Sequence, residues 1–336
     1  MHLRRTDERL DEIAALHAAA EKVGLAGILG DLDRQAEPVR VPGRAVTGGF
    51  TWNAHDRTTE RWWPQGITTS ADADPETEAL DGKRLLVTSA YSHLVGGSNH
   101  GSRISVVDRD TLRYRNVLLV VPTLGRDETV RLDPLLVHAG GIAWVGPYLH
   151  VAGTRRGLFS CRVEDLTRVA DGPFGYEYVL PVRFSYDAVT PDGAEQLRYS
   201  FLSLDRSGPV PHLVAGEYGK QDMTTRLVRY PLDPETFHLH AESDGSARPV
   251  HLDERGVGHM QGATVVGDTY YVTSSRGRWK LGSVFTGEPG AFTEHRQAVP
   301  NGPEDIAYWP SEDAFWSLSE YPGRRYVFTM PRSSFD

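Results

Sequence analysis

VTSAY at 87–91, VAGTR at 151–155, VAGEY at 214–218, VTSSR at 272–276 and SLSEY at 317–321 are five copies of one strand ending. Each carries small or apolar residues into a Tyr or Arg. Each also follows a partner strand: QGITTS at 65–70, AGGIAWVG at 139–146, YSFLSLD at 199–205, QGATVVG at 261–267 and EDIAYWP at 304–310. The Tyr/Arg positions are separated by 64, 63, 58 and 45 residues, the length of a four-stranded unit with variable loops. Outer strands are visible as SRISVVD and YRNVLLVV in the first copy and as TRLVRYPL and FHLHAES in the third. Their DRDT and DPET connections read as turns. The last copy has one further strand, RRYVFTM, before the chain ends. Its missing outer strand is supplied by VTGGFTW at 46–52, which closes the ring and covers an open sheet edge.

The expectation is an all-β fold, a five-bladed β-propeller with an N-terminal helix and an N-terminal strand closing the last blade. The blades fall at about 66–122, 137–187, 197–250, 259–299 and 302–332 plus 46–52. A two-sheet sandwich is the alternative, but it does not explain five equivalent hairpins. Residues 5–30 place Leu10, Ile13, Leu16, Ala20, Val23 and Leu25 near helical spacing and read as one amphipathic helix. Residues 31–45, with Pro38 and Pro42, read as a linker. Domain organisation is therefore 1–45, helix and linker, and 46–336, propeller.

The formal net charge of −9, from 36 Lys and Arg against 45 Asp and Glu, disfavours a polyphosphate partner, so no nucleic acid is expected. Cys161 is the single cysteine, which excludes an intrachain disulfide and a multi-cysteine metal site. No apolar run is long enough to span a bilayer, and charges interrupt the N-terminus where a signal peptide needs its apolar centre. The expected protein is cytoplasmic, with no membrane partner; a trimmed form of an exported protein is the alternative.

In a propeller the starts of first strands and the ends of second strands converge on one face. That places Gln65, His138, Tyr199, Gln261, Glu304 and Asp305 around a channel mouth. Tyr91, Arg155, Glu217, Tyr218, Arg276, Glu320 and Tyr321 lie just outside. A ring of ionisable groups over apolar strands is the expected site for a small-molecule ligand or substrate. Glu217 and Glu320 break the pseudo-symmetry, since the equivalent positions hold Ala90, Thr154 and Ser275. His138 is the candidate general base, and Glu217, Glu304 and Glu320 are acids or ligands of a divalent cation such as calcium. Gln65, Tyr91, Arg155, Tyr218, Gln261, Arg276 and Tyr321 are expected to bind substrate, with Arg155 and Arg276 holding negative charge. The alternative is that Glu217 or Glu320 pairs with Arg155 or Arg276 and only knits neighbouring blades. His93 and His100, in the loop YSHLVGGSNHGSR, offer a three-histidine metal site with His138, and His259 is similarly placed.

HAGGIAW at 138–144, GEYG at 216–219, GPEDIAYWP at 302–310 and SEYPGRRYVF at 319–328 resemble a group of uncharacterised actinobacterial propeller proteins. GPEDIAYWPSEDAFWSLSEY more loosely resembles gluconolactonase-like, streptogramin-lyase-like and esterase-like phytase propellers. The gluconolactonase-like resemblance implies calcium at the channel, held by acidic and Asn side chains; here those positions are Gln65, His138, Gln261 and Glu304. The streptogramin-lyase-like resemblance implies metal-assisted elimination using a channel histidine, which His138 matches. The function expected is a small-molecule hydrolase, lyase or cyclase. The alternatives are a non-catalytic binding propeller, using Trp63, Tyr91, Tyr218 and Tyr321, or an interaction scaffold.

Overall fold

The computed structural model describes residues 1–336 and is predominantly β. All five hairpins form. The inner strands Trp62–Thr69, Ile142–Val145, Phe201–Asp205, Met260–Val266 and Pro303–Trp309 pair antiparallel with Leu85–Ser92, Tyr148–Ala152, His212–Gly216, Thr269–Ser274 and Ala314–Ser319. Each hairpin adds a third and a fourth strand, giving five antiparallel units. The fourth strand of unit five is Gly48–Thr51, paired with Tyr326–Pro331, so the N-terminal stretch does complete the last unit.

Apolar clusters fill the gap between each unit and the next. Val87, Ile104 and Val117 meet Trp144 and Val151 between units one and two, and Ala152 and Phe184 meet Leu202 and Leu213 between two and three. Val214 meets Ala263 and Val272 in the next gap, and Tyr271 and Val284 meet Ile306 and Phe315 in the fourth. Trp309 and Leu318 meet Ile67 and Leu86 in the fifth, which returns the sequence of contacts to its start. Burial of strand faces in this continuous circuit supplies the main drive to fold.

Near the axis the strands approach so closely that side chains are excluded. A Cβ on Gly66 would lie 2.7 Å from the Ile142 nitrogen, one on Gly141 2.0 Å from the Leu202 nitrogen, and one on Gly262 2.6 Å from the Asp305 Cα. Short polar side chains then fasten neighbours together. Ser89 donates to the Ala139 carbonyl at 2.7 Å, Ser203 to that of Ala263 at 2.5 Å and Thr273 to that of Glu304 at 2.6 Å. Asp305, with no solvent exposure, accepts from the backbone N–H groups of Ile67 and Ile142, both at 3.4 Å, and of Ile306 at 3.0 Å.

Three expectations change. The single helix over 5–30 is two helices, Leu10–Ala19 and Gly24–Gly30. The break comes where Ala20 is extended and Gly24 takes φ +60, with Glu21–Lys22 pairing as a short strand with Thr167–Arg168. Leu10, expected on the apolar face, is exposed, whereas Leu16 and Ile28 are buried against units one and two. The stretch 31–45 is not free, because Arg34–Gln35 pairs with the edge of unit one and Glu37–Pro38 with that of unit five. FHLHAES is not the fourth strand of unit three; His251–Asp253 takes that place. Phe237 turns at φ +62 and packs on Gly146, and Leu239 donates its N–H to the Tyr186 hydroxyl, so unit two captures this segment.

His2–Arg5 adds a further strand to unit two. In addition, Val179–Pro181 of unit two pairs in parallel with Leu118–Val120 of unit one, joining the two into one sheet. Cys161 is buried in the core between them, where burial pushes its thiol up. No helix is long and apolar enough to cross a membrane.

The close axial packing predicts that Gly141→Ala is destabilising by about 3 kcal/mol or more, because backbone cannot move aside cheaply. Gly208→Ala, which meets nothing within 4 Å, should change stability by no more than about 0.5 kcal/mol. Equal urea-denaturation midpoints for the two variants would contradict this account of the axis.

Candidate functional site

Three of the five inner strands carry a register shift at the same place: between Pro64 and Ile67, between Met260 and Gly262, and between Pro303 and Ile306. A bulge re-aims a side chain that regular alternation would send elsewhere. Here the irregularities present Gln65, Gln261 and Glu304 to a cavity of about 870 Å³ at one face of the ring. His138 reaches the same cavity from the segment ahead of unit two, where Ala139 takes φ +52 before Gly140 and Gly141. Glu320 and Tyr321 reach it from the end of the second strand of unit five. Gly302, at φ +62, leaves room for them, since a Cβ there would lie 2.4 Å from the Tyr321 ring and 3.2 Å from Glu320 Cγ.

Most of the expected positions converge. Gln65, His138, Tyr218, Gln261, Arg276, Glu304, Glu320 and Tyr321 all line this one cavity. Tyr91 lies behind its wall, with its ring stacked on that of His138 at 4.1 Å and its hydroxyl 2.7 Å from His93 Nε2. His93 stacks in turn on Trp63 at 4.3 Å, and Trp63 meets Tyr321 edge-on at 5.9 Å. A continuous aromatic wall therefore runs from His138 to Tyr321 and fixes the imidazole plane.

Four expected members are elsewhere: Asp305 is turned into the axis, Tyr199 is buried with its hydroxyl 2.8 Å from that of Tyr230, and Glu217 and Arg155 also lie outside the cavity. Glu217 is fully buried beside the cavity, not in it. It accepts from Arg226 Nε at 2.9 Å and Nη2 at 2.8 Å, and from the backbone N–H groups of Arg198 at 3.0 Å and Arg226 at 3.1 Å. Burial pushes its carboxyl up, but these donors outweigh that and hold it below the usual range. It knits one unit internally, with a partner that sequence reading did not foresee. Arg155 is exposed and lies outside the cavity; Arg198 and Lys280 join Arg276 there instead. Arg198 stands directly before Tyr199 at the start of an inner strand, a signal that was available.

The electrostatics separate the carboxyls by role. Burial, then the charges of Glu320 and Asp305, push Glu304 well above the usual carboxylate range. Burial raises Glu320 to about 7, against opposing bonds from Tyr321 and Gln65 and the charge of Arg325. Gln261 Nε2 donates to Glu304 at 3.0 Å, and Gln65 Nε2 reaches Glu320 at 3.5 Å. His138 is pulled down to about 4 by burial and by the charge of His93, so its imidazole is neutral at physiological pH. Arg276 has only a distant counter-charge, Glu294 at 3.8 Å, and Lys280 has none.

The residues do not fit a calcium ion of the gluconolactonase-like kind. The mouth carboxyls face amide donors, and no group of three His, Cys, Asp or Glu side chains is arranged around a metal position. The three-histidine arrangement is also not formed. His100 stacks on Phe174 at 3.8 Å, bordering a different cavity from His138.

No family model and no curated protein matches the chain. Among solved structures it is similar to a gluconolactonase from Xanthomonas campestris, at 14% identity over 88% of this chain and 87% of that one, with a TM-score of 0.37. The GH43_1 enzyme from Xanthomonas citri, solved with xylotriose, is similar at 12% identity over 95% and 92%, with a TM-score of 0.41. The β-propeller domain of Cps50 (Swd1) from Myceliophteria thermophila is similar at 8% over 81% and 98%, with a TM-score of 0.38. Likenesses this distant carry no argument about what the chain does.

Two outcomes follow from the charges. Because Glu320 is raised on folding, the folded state holds a proton that the unfolded state releases between pH 4.5 and about 7, and stability should fall as pH rises through that window. Glu320→Gln should flatten the fall and be the more stable protein at pH 8 by about 2 kcal/mol, read from denaturation curves across pH; parallel curves for the two proteins would be inconsistent with a raised Glu320. Glu217→Ala, which strands buried Arg226, should cost about 3–5 kcal/mol. A loss of less than about 1 kcal/mol would mean that Glu217 is not the structural ion-pair partner described above.

Proposed function

We propose that the chain is a five-bladed β-propeller enzyme that transforms a small polar anion at the ring mouth by acid–base chemistry, as a hydrolase, lyase or cyclase. In this reading residues 46–336 are the propeller and residues 1–45 an N-terminal addition. The observation that carries the proposal is the pairing of Glu304 and Glu320 at one cavity, both raised by burial, beside a neutral His138. A carboxyl that titrates near 7 both gives and takes protons at physiological pH, the property that general acid–base catalysis needs.

His138 accepts a proton from the substrate or from an attacking water, its ring plane held by Tyr91. Glu320, protonated through part of the time, delivers one to the departing group, its proton affinity held up by burial. Gln65 and Gln261 orient the carboxyls and offer amide groups to the substrate. Arg198, Arg276 and Lys280 balance its negative charge and the charge that develops during reaction.

The test is incubation of the protein with a mixture of small carboxylated metabolites, esters and lactones, read by mass spectrometry. At least one compound should be consumed, and His138→Ala and Glu320→Gln should each lower the rate by about 100-fold or more with a native far-ultraviolet spectrum. Compounds that bind without being consumed would replace the enzyme by a ligand-binding propeller. Undiminished turnover in both variants would remove the acid–base assignment.

A further inference from the structure

A second cavity, of about 640 Å³, opens beside unit one, away from the ring mouth; Arg34, Arg61, Trp62, His100, Arg103 and Phe174 border it. Its positive charge is poorly matched. Asp56, buried under the floor, accepts from Arg103 at 2.9 Å, Arg34 at 3.3 Å, the Tyr114 hydroxyl at 2.7 Å and Asn116 at 3.2 Å. Arg325, fully buried against the backbone of Asp56 and Thr59, forms no ion pair. It donates to the carbonyls of Asp56 at 2.9 Å, Thr59 at 2.7 Å and Glu320 at 2.7 Å, and its Nη2 has no partner. Arg61 likewise donates only to carbonyls, those of Ser98 at 2.7 Å and Val95 at 2.8 Å.

Arg34 and Arg103 therefore share one buried carboxylate, that of Asp56, while Arg61 and Arg325 donate only to carbonyls. Asp33 and Glu177 are the acidic residues on the cavity lining, Asp33 standing 3.9 Å from Arg34, and Glu60 and Glu320 act on Arg325 without pairing. Arg115, across the cavity, is matched by Asp31, Asp33 and Glu177. Buried charge without a counter-charge is costly, and this chain has an overall excess of nine negative charges from which to supply one. With Arg34, Arg61, Arg103 and Arg115 on its lining against Asp33 and Glu177, the cavity keeps a cationic excess, the signature of an anion's place.

The rim adds a shape requirement. Phe174 is half exposed, takes φ +56 and stacks on His100 at 3.8 Å with the planes 6° apart. A bulky residue in the left-handed region is strained, and such strain collects at ligand clamps. Trp62, beneath the Arg103 guanidinium at 4.6 Å, supplies a second aromatic surface. We propose that this cavity binds a small planar carboxylate, with its anionic end between Arg61 and Arg103 and its flat body against Phe174. The proposal does not depend on the reading of the ring mouth.

The test is titration of the full-length protein with sodium benzoate, followed by tryptophan fluorescence and by indole resonances. Saturable binding is expected, about tenfold weaker in Arg61→Gln, several-fold weaker in Phe174→Ala and unchanged in the ring-mouth variant Arg276→Ala. Arg61→Lys, which keeps the charge, should restore most of the loss, and thermal melting verifies that each variant is folded. The proposal is overturned if benzoate does not saturate, if binding is lost in Arg276→Ala but not in Arg61→Gln, or if inorganic phosphate binds equally well and Phe174→Ala is without effect.

Discussion

A carboxyl group with no contact to solvent holds the centre of this molecule together. Asp305 gathers backbone donors from three inner strands, and each would otherwise carry an unsatisfied N–H into a dry axis. Burial pushes this carboxyl well above its ordinary range while the donors pull the other way. The glycines at 66, 141 and 262 make the arrangement physically available, because any larger residue would hold the strands too far apart for one carboxyl to span them. That contact ties units one, two and five together at the axis.

The same bulge that sends Asp305 inward sends Glu304 to the mouth, so scaffold and candidate chemistry share one local irregularity. The three acidic residues that differ in role differ in what surrounds them. Glu217 is saturated by Arg226 and stays charged; Glu304 and Glu320 meet amides, aromatic rings and each other, and hold protons more tightly. Identical position in the repeat does not give identical chemistry. The neighbour across the strand decides.

The hairpins were legible because each must present the same alternation to the same kind of interface, and the closing strand was legible because one unit lacked an edge. Convergence of Gln65, His138, Gln261, Glu304 and Glu320 followed from that pseudo-symmetry. Features set by contacts between distant segments were not legible. Arg226 lies nine residues from Glu217, where no motif links them, and FHLHAES has strand-like composition yet is drawn to unit two by Phe237 and Leu239. The helical break at Ala20 likewise depends on a strand edge at Thr167–Arg168 that local spacing does not reveal.

The parallel junction between Val179–Pro181 and Leu118–Val120 makes the ring mechanically uneven. Two neighbouring units are welded into a single plate along their outer edge, His2–Arg5 ties that plate to Ser246–Ala247 of unit three, and the four strands of unit four pair with nothing beyond themselves. Tyr91 and His138 belong to the welded sector, whereas His259 and Arg276 belong to unit four. The imidazole thus stands on the side of the opening braced by continuous sheet, and Arg276 on the side that shares no strand pairing with its neighbours.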